Sequence, residues 1–162
     1  MLLSDIKYPP IRPRAKKVGS TTHIWSPVRK AFLVLTPEEW VRQHIVAYLT
    51  SECGFAPQTI VEEYPVSLNG TAQRADIVVL DNKAQPLLLV ECKAMEVAID
   101  EAVLAQAVRY NSVVKARYIA LTNGVKSALF ELVEGEYRAI EHYPHSDTQT
   151  SNLDTSNEKH CF

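Results

Sequence analysis

The chain has 162 residues, 46% of them hydrophobic, which fits one globular domain with a single core and leaves no room for a second large domain. Its formal net charge of -2 excludes a protein that holds an anionic polymer by its overall field. The cysteines Cys53, Cys92 and Cys161 lack the paired spacing of a zinc site or a disulfide framework, so we expect a cytoplasmic protein. No apolar run reaches about 18 residues, so we expect no segment that spans a membrane.

Residues 1–35 are predicted to form an N-terminal extension. Prolines and a basic arm, formed by Arg12, Arg14, Lys16 and Lys17, are concentrated in residues 1–22, which predicts an irregular segment. The stretch HIWSPVRKAFLVL then predicts two strands that turn at Ser26-Pro27. The basic arm offers a contact for an anionic partner, although such runs are usually solvated surface.

Residues 36–143 are predicted to form one domain that begins with a helix. TPEEWVRQHIVAYLTSECGF opens with a helix-start signature, in which Thr36 is the N-cap, Pro37 occupies the first turn and Glu39 follows three residues after the cap. Three short, β-rich stretches bounded by turn residues come next: TIVEEYPVSL, ADIVVL and PLLLVEC.

The remainder of this domain is predicted to contain one more helix and further strands. A second helix is predicted over residues 99–114, followed by strands in RYIALTNG and in SALFELVEGEYRAIEHY, which turns at Glu134-Gly135. The order of elements predicts an α/β (α+β) fold. Residues 144–162 are rich in Ser, Thr, Asn and Asp, and they are predicted to form a disordered tail.

Three charged residues interrupt stretches that otherwise resemble interior strands. Asp76 lies in ADIVVL, and Glu91 and Lys93 lie at the end of PLLLVEC and just beyond it. If Leu80 and Leu87 close one hairpin, Asp76 is opposite Glu91, and Lys93 lies on the same face of the sheet. A slip of one residue would separate the carboxylates, so their convergence depends on this register.

Two converging carboxylates indicate a cation between them, because otherwise their repulsion makes one of them take up a proton. Oxygen ligands favour a hard ion such as Mg²⁺ or Mn²⁺. Lys93 could position the attacking water or neutralise charge on phosphorus-bound oxygens, whereas Cys92 is expected on the opposite face. A structural salt-bridge cluster of Asp76, Glu91 and Lys93 explains the same charge pattern equally well.

The order Asp76, then Glu91-Cys92-Lys93 on the next strand, resembles the core signature of the PD-(D/E)xK nuclease superfamily. Gln106 and Tyr110 supply the Gln-x-x-x-Tyr pattern that follows in its RecB-like branch. The strand ending in LTNG, placed after that helix, is similar to the N-terminal nuclease domain of type I restriction enzyme R (HsdR) subunits. The resemblance covers residues 36–132, with Ala where the superfamily name has Pro.

The resemblance implies a restriction-endonuclease-like core, in which helices flank a central mixed β-sheet. It implies that Asp76 and Glu91 are catalytic metal ligands and that Lys93 is a catalytic residue. Gln106 and Tyr110, one helical turn apart, are then expected to position the substrate.

The first helix of this superfamily often contributes a further acid to the metal site. Glu39 is the candidate because Gln43, one turn later, shares its face of the helix. Glu39 is also the third residue of the predicted capping box, which gives it an ordinary structural role. Glu38 is therefore retained as the alternative.

The leading interpretation is a Mg²⁺- or Mn²⁺-dependent nuclease that hydrolyses phosphodiester bonds of DNA. The sequence has no Gly-x-x-x-x-Gly-Lys-Ser/Thr loop for an ATP-driven motor. The chain is then either a solitary nuclease module or the nuclease part of an assembly, whose motor or specificity subunit lies on another chain or in another part of a longer one. The alternative is a non-catalytic module that keeps the nuclease fold and binds nucleic acid or a protein partner. A third interpretation is a structural domain in which the three charges form only ion pairs.

Overall fold

The structure is a computed structural model, and it describes residues 5–149. Near the N-terminus, three short strands form an antiparallel sheet: β1 (Ala15–Val18), β2 (Thr21–Ser26) and β3 (Ala31–Val34). The predicted strand pair around Ser26-Pro27 is confirmed as β2 and β3. The prediction of an irregular segment over residues 1–22 is wrong from Ala15 onward. There β1 pairs with β2 as an edge strand, a position that tolerates exposed lysines.

Helix α1 (Pro37–Ser51) begins where the sequence predicted. The Thr36 backbone is extended, and its Oγ1 accepts a hydrogen bond of 3.0 Å from the Glu39 amide. This bond satisfies one of the amides that a helix start leaves without an intrahelical partner. Val41, Ile45 and Leu49, which belong to the apolar stripe of the helix, are fully buried.

The central sheet contains six strands in chain order: β4 (Ile60–Leu68), β5 (Thr71–Leu80), β6 (Pro86–Cys92), β7 (Tyr118–Thr122), β8 (Ser127–Val133) and β9 (Glu136–Ile140). All neighbouring pairs are antiparallel except β6 and β7. A parallel pair requires a crossover connection, and helix α2 (Glu101–Val114) provides it. The predicted α/β fold with a central mixed sheet and flanking helices is confirmed.

Two apolar clusters cover the two faces of the central sheet. The first joins the stripe of α1 to Leu88 and Val90 of β6. The second joins Val103 and Ala107 of α2 to Leu89, the residue between them on β6. Because successive side chains of a strand point to opposite faces, α1 and α2 pack on opposite sides of the sheet.

The end of the described chain packs against the end of α1. The Ser146 amide donates a hydrogen bond of 2.9 Å to the Cys53 carbonyl, and Ser146–Gln149 forms a 3-10 turn. The prediction of a disordered tail from Pro144 is therefore wrong for residues 144–149. Its remainder, residues 150–162, lies outside the described residues.

Both helices are shorter than a bilayer requires, with 15 residues in α1 and 14 in α2. Within residues 5–149, no helix is long and apolar enough to cross a membrane.

Asn111 joins the end of α2 to the central sheet. Its side-chain amide donates to the Ala116 carbonyl at 2.9 Å, and its Oδ1 accepts from the Ala116 amide at 2.8 Å. It also donates to the Tyr137 hydroxyl at 2.9 Å, and it is 2% exposed. These bonds hold the turn that leads into β7.

We expect Asn111→Ala to lower the free energy of unfolding by about 3 kcal/mol, because the buried backbone groups of Ala116 lose their partners. Urea denaturation of the two proteins measures this difference. Ser112→Ala is the control, since Ser112 is exposed and its change should stay within about 0.5 kcal/mol. Equal, small effects of both substitutions would contradict the structural role of Asn111.

Candidate functional site

The β5–β6 hairpin has the predicted register through its middle and departs from it at the turn. Ile77 pairs with Val90, and the next two pairs follow the same register. At the turn Leu80 pairs with Pro86 instead of Leu87, because a bulge shifts the ladder there. The bulge lies away from the charged residues, so the part of the register on which their convergence depends is as predicted.

Asp76 and Glu91 lie next to each other where this ladder ends. Asp76 is one residue beyond the last pair, and its Oδ2 accepts a hydrogen bond of 2.7 Å from the Cys92 amide. Glu91, on the neighbouring strand, is 4% exposed, and Asp76 is 9% exposed. Cys92 itself belongs to the apolar cluster on the α1 side of the sheet, so its thiol faces away from the two carboxylates.

Both carboxylates have a raised proton affinity. Burial, followed by the negative charge of Asp76, raises the pKa of Glu91 to about 8. Burial also raises the pKa of Asp76 to about 6, although the nearby Arg42 charge and the Cys92 amide oppose the rise. Both shifts therefore arise first from the removal of the carboxylates from water.

Glu91 has one engaged and one unpaired oxygen. Its Oε1 lies 3.6 Å from the Lys93 Nζ. Its Oε2 is buried and has no hydrogen-bond partner among the described residues. An unpaired buried carboxylate oxygen is unfavourable, so this atom is a ready ligand for a cation.

Lys93 leads into a chain of polar side chains that reaches α2 and β5. The Lys93 Nζ donates to Gln106 Oε1 at 3.1 Å, and Gln106 Nε2 donates to the Tyr110 hydroxyl at 3.3 Å. The Tyr110 hydroxyl donates to Gln73 Oε1 at 3.4 Å. The structure thus brings the predicted Gln106 and Tyr110 to Lys93, and this chain fixes the position of the ammonium group.

Arg42 is a cation at the site that the sequence analysis did not identify. Its Nη2 lies 3.0 Å from Asp76 Oδ1 and its Nη1 lies 3.2 Å from Glu39 Oε2. Burial disfavours the charged guanidinium, but Asp76 and Glu39 outweigh this effect and raise the pKa of Arg42. Arg42 therefore balances part of the negative charge that Asp76 brings into the site.

The two acids at the start of α1 lie in different environments. Glu39 is buried, pairs with Arg42 and accepts a hydrogen bond of 2.8 Å from Gln43 Nε2. Glu38 is 43% exposed at its side chain, and its negative charge raises the pKa of both Asp76 and Glu91. Glu38, the alternative candidate, is therefore the acid whose charge acts on the pair, whereas the preferred candidate Glu39 is occupied by Arg42 and Gln43.

Two further acids of β4, the buried Glu62 and the partly exposed Glu63, attach the N-terminal sheet beside the site. The Ser26 hydroxyl donates to Glu62 at 2.6 Å, and Arg29 contacts Glu63 at 2.9 Å. Glu63 also lies 3.5 Å from Arg42, and its backbone has a φ of 51°. A left-handed φ is uncommon for a residue other than glycine, and here it accompanies a carboxylate shared by several arginines.

The sequence offered weak signals for these additional residues. Arg42 follows Glu38 and Glu39 at helical spacing, which predicts ion pairs within α1 but not the contact with Asp76. Gln73 and Glu63 carry no local motif, and their roles arise only from strand pairing and packing.

Two carboxylates at the site, Asp76 and Glu91, could act as ligands of a cation. Within residues 5–149, no three His, Cys, Asp or Glu side chains converge on one point in a metal-binding geometry. A cation held here would have Asp76, Glu91 and solvent or substrate oxygens as its donors. Such a set fits Mg²⁺, which is commonly bound by one or two carboxylates and retains several waters. The unpaired Oε2 of Glu91 agrees with this assignment.

Comparison with known proteins supports the fold and the family. A family profile described as "Type I restriction enzyme R protein N terminus (HSDR_N)" matches residues 37–144. Among solved structures, the chain is similar to a fragment assigned to an HsdR subunit of a type I restriction enzyme from Vibrio vulnificus YJ016, with a TM-score of 0.54 and 21% identity. That similarity covers 70% of this chain and 24% of the Vibrio chain. No curated protein matches the sequence.

The structural similarity, at this low identity, supports the restriction-endonuclease-like fold alone, and this chain spans about a quarter of the Vibrio chain. The family profile covers most of the predicted domain of residues 36–143, including both strands of the carboxylate pair and all of α2. The chain therefore belongs to the family of type I restriction enzyme R protein N termini.

Proposed function

We propose that this chain is a Mg²⁺-dependent nuclease domain of the PD-(D/E)xK type, which hydrolyses phosphodiester bonds of DNA as part of a type I restriction enzyme. The observation that carries the proposal is the pair of buried carboxylates, Asp76 and Glu91, beside the fixed ammonium group of Lys93. Membership of the restriction-enzyme family supports the choice of DNA as the substrate.

Asp76 and Glu91 would hold the divalent cation, using the unpaired Oε2 of Glu91. When bound, such an ion polarises phosphoryl oxygens and lowers the pKa of a coordinated water. Arg42 would remain paired with Glu39 while Asp76 turns its free lone pairs to the cation. Because Arg42 also neutralises Asp76, it keeps this carboxylate ionised before the cation arrives.

Lys93 would stabilise the negative charge that develops on the phosphoryl oxygens as water attacks. Hydrolysis forms a bond between the water oxygen and phosphorus and breaks one phosphorus–oxygen ester bond. Gln106 holds Lys93 from one side and Glu91 from the other, so the ammonium group needs little reorganisation. Tyr110 is a positioning residue, since it contacts Gln106 and not Lys93.

We further propose that the motor and specificity functions of the restriction enzyme lie outside this sequence, on another chain or in another part of a longer one. The sequence contains no Gly-x-x-x-x-Gly-Lys-Ser/Thr loop for ATP-driven movement along DNA. This chain also corresponds to only 24% of the Vibrio chain that it resembles.

We expect the wild-type protein to bind Mn²⁺, and we expect Asp76→Asn and Glu91→Gln each to weaken that binding at least about 100-fold. The loss of a direct ligand should cost more affinity than the loss of a side chain that only hydrogen-bonds to a ligand. Isothermal titration calorimetry measures the affinity. Glu136→Gln, which removes an exposed acid on β9, is the control and should bind Mn²⁺ as wild type does. Unchanged affinity in Asp76→Asn would remove Asp76 from the metal site.

Without metal, the carboxylate pair should make the protein less stable as pH rises. The pKa of Glu91 is raised from 4.5 to about 8, so between these values the folded state binds more protons than the unfolded state. The free energy of unfolding therefore falls as pH rises through this window. Urea denaturation in EDTA at several pH values should show this fall in wild type and a smaller one in Glu91→Gln. The same pH dependence in both proteins would contradict the raised pKa.

The catalytic role of Lys93 is tested by cleavage of supercoiled plasmid and single-stranded DNA with Mg²⁺ or Mn²⁺. We expect Lys93→Ala to cut DNA about 100-fold to 1,000-fold more slowly than wild type and to keep its Mn²⁺ affinity. A loss of this size is typical when an enzyme loses one donor that stabilises negative charge in the transition state. Lys83→Ala, an exposed lysine in the β5–β6 turn, should cut like wild type. Equal cleavage by Lys93→Ala and wild type would indicate a contaminating nuclease or a different catalytic group.

A further inference from the structure

Positive charge is concentrated in the part of the chain that precedes α1. Residues 6–37 contain seven of the chain's 17 Lys and Arg residues and none of its 19 Asp and Glu residues. The remainder of the chain is therefore strongly acidic, although the overall net charge is only -2. A basic surface on an otherwise acidic protein favours an anionic partner at that surface.

The three-stranded sheet presents this charge on its outer face. Directly opposed residues share a face, and Lys16 pairs with His23 while Trp25 pairs with Phe32. The opposite face carries Ile24, which is 2% exposed and packs inward. We name the outward residues the basic sheet face: Arg14, Lys16, Val18, His23, Trp25, Phe32 and Val34.

The two cations of this face are held by aromatic rings and not by carboxylates. The Arg14 guanidinium lies 4.5 Å from the Trp25 ring centroid, and the Lys16 Nζ lies 4.3 Å from the Phe32 ring centroid. Neither forms an ion pair with an acid of the described chain, whereas Arg29, Arg42 and Arg117 all do. Arg14 and Lys16 are therefore restrained in position while their charge remains available to a ligand.

The chemistry of the face favours phosphates over bases or an apolar peptide. The Trp25 and Phe32 rings are half-buried, and the cations cover them, so they are poor platforms for stacking bases. The exposed side chains with hydrogen-bonding capacity are donors, as phosphate oxygens require. Val18 and Val34 are exposed by 55% and 48%, but they lie singly at the ends of strands β1 and β3.

The face is linked to the candidate site through α1. A groove of about 410 Å³ with a mainly apolar lining lies between the sheet with the segment leading into it, which contribute Arg12, Arg14 and Trp25, and α1, which contributes the buried Gln43. Gln43 donates to Glu39, which pairs with Arg42 beside Asp76. A DNA substrate carries phosphates on both sides of the one that is cleaved, so one molecule can contact both regions.

We propose that the basic sheet face binds the phosphate backbone of the DNA substrate, beyond the cleaved phosphodiester and without reading base sequence. This inference rests on the proposed nuclease function for the identity of the polymer. Arg14 and Lys16 are its principal contacts, and Arg12 at the groove adds to them.

The test is the affinity of the full chain for short labelled DNA duplexes of two unrelated sequences, measured by fluorescence anisotropy in EDTA at several salt concentrations. We expect wild type to bind both sequences equally and to weaken steeply as salt rises. The double substitution Arg14→Gln with Lys16→Gln should reduce the salt slope by about 2, one unit for each lost phosphate contact, and weaken binding about tenfold at low salt.

The matched control is Lys83→Gln with Arg138→Gln, which removes two exposed charges at the β5–β6 turn and on β9. Equal loss in the two double variants would overturn the proposal, because overall charge would then explain it. If wild type shows no salt-dependent DNA binding, the proposal is also overturned, and a protein partner becomes the alternative ligand of the basic sheet face.

A second measurement uses only the wild-type protein, so its result does not depend on whether the variants fold. DNA should protect Lys16 of the wild-type protein from chemical acetylation and leave Lys83 reactive, as read by mass spectrometry. Equal reactivity of Lys16 with and without DNA would overturn the proposal. Since both measurements are made without divalent metal, failure of metal binding or cleavage leaves their outcome intact, and the two proposals can fail separately.

Discussion

Two carboxylates buried side by side are the constraint on which the arrangement of this molecule depends. Asp76 and Glu91 repel each other in a place from which water is largely excluded, and burial raises the pKa of both. Each carboxylate therefore needs a cation or a donor nearby. The fold provides them from three directions: Arg42 from α1, the Cys92 amide from β6, and Lys93 just beyond β6. The fold leaves the Glu91 Oε2 without a hydrogen-bond partner among the described residues, so this oxygen is available to a ligand.

Local irregularities of the central sheet make this convergence possible. The paired ladder of β5 and β6 ends at Ile77, so the Asp76 carboxylate can accept the Cys92 amide in place of a backbone carbonyl. On the other side of β5, Glu63 adopts a left-handed φ and its carboxylate gathers Arg29, Arg42 and Arg74. Regular pairing through these positions would satisfy the backbone, but it would leave the buried charges without partners.

The sequence predicted the features that depend on local patterns, and it missed those that depend on packing between distant segments. Helix α1 begins at the Thr36 cap, and the hairpin register follows from the alternation of its strands. Strand β1 was missed because its residues are exposed and carry no apolar alternation. Arg42 was missed as a partner of Asp76 because helical spacing predicts its neighbours within α1 but not which strand that helix covers. The acids at the start of α1 were ranked by the same local spacing, which does not indicate that Glu39 is buried against Arg42 and Gln43 while Glu38 stays partly exposed.

The proposed activity also explains why charge is distributed so unevenly along a nearly neutral chain. A site that binds a divalent cation must gather acidic side chains, and those acids repel a phosphate backbone before the cation is bound. Basic residues placed in a separate sheet can offset that repulsion without neutralising the metal ligands themselves. Ser26 and Arg29 fasten this sheet to Glu62 and Glu63, on the strand next to Asp76. The anchoring thus holds the basic sheet beside the strands of the acidic site, while Arg14 and Lys16 lie over the Trp25 and Phe32 rings and form no ion pair with Asp76 or Glu91.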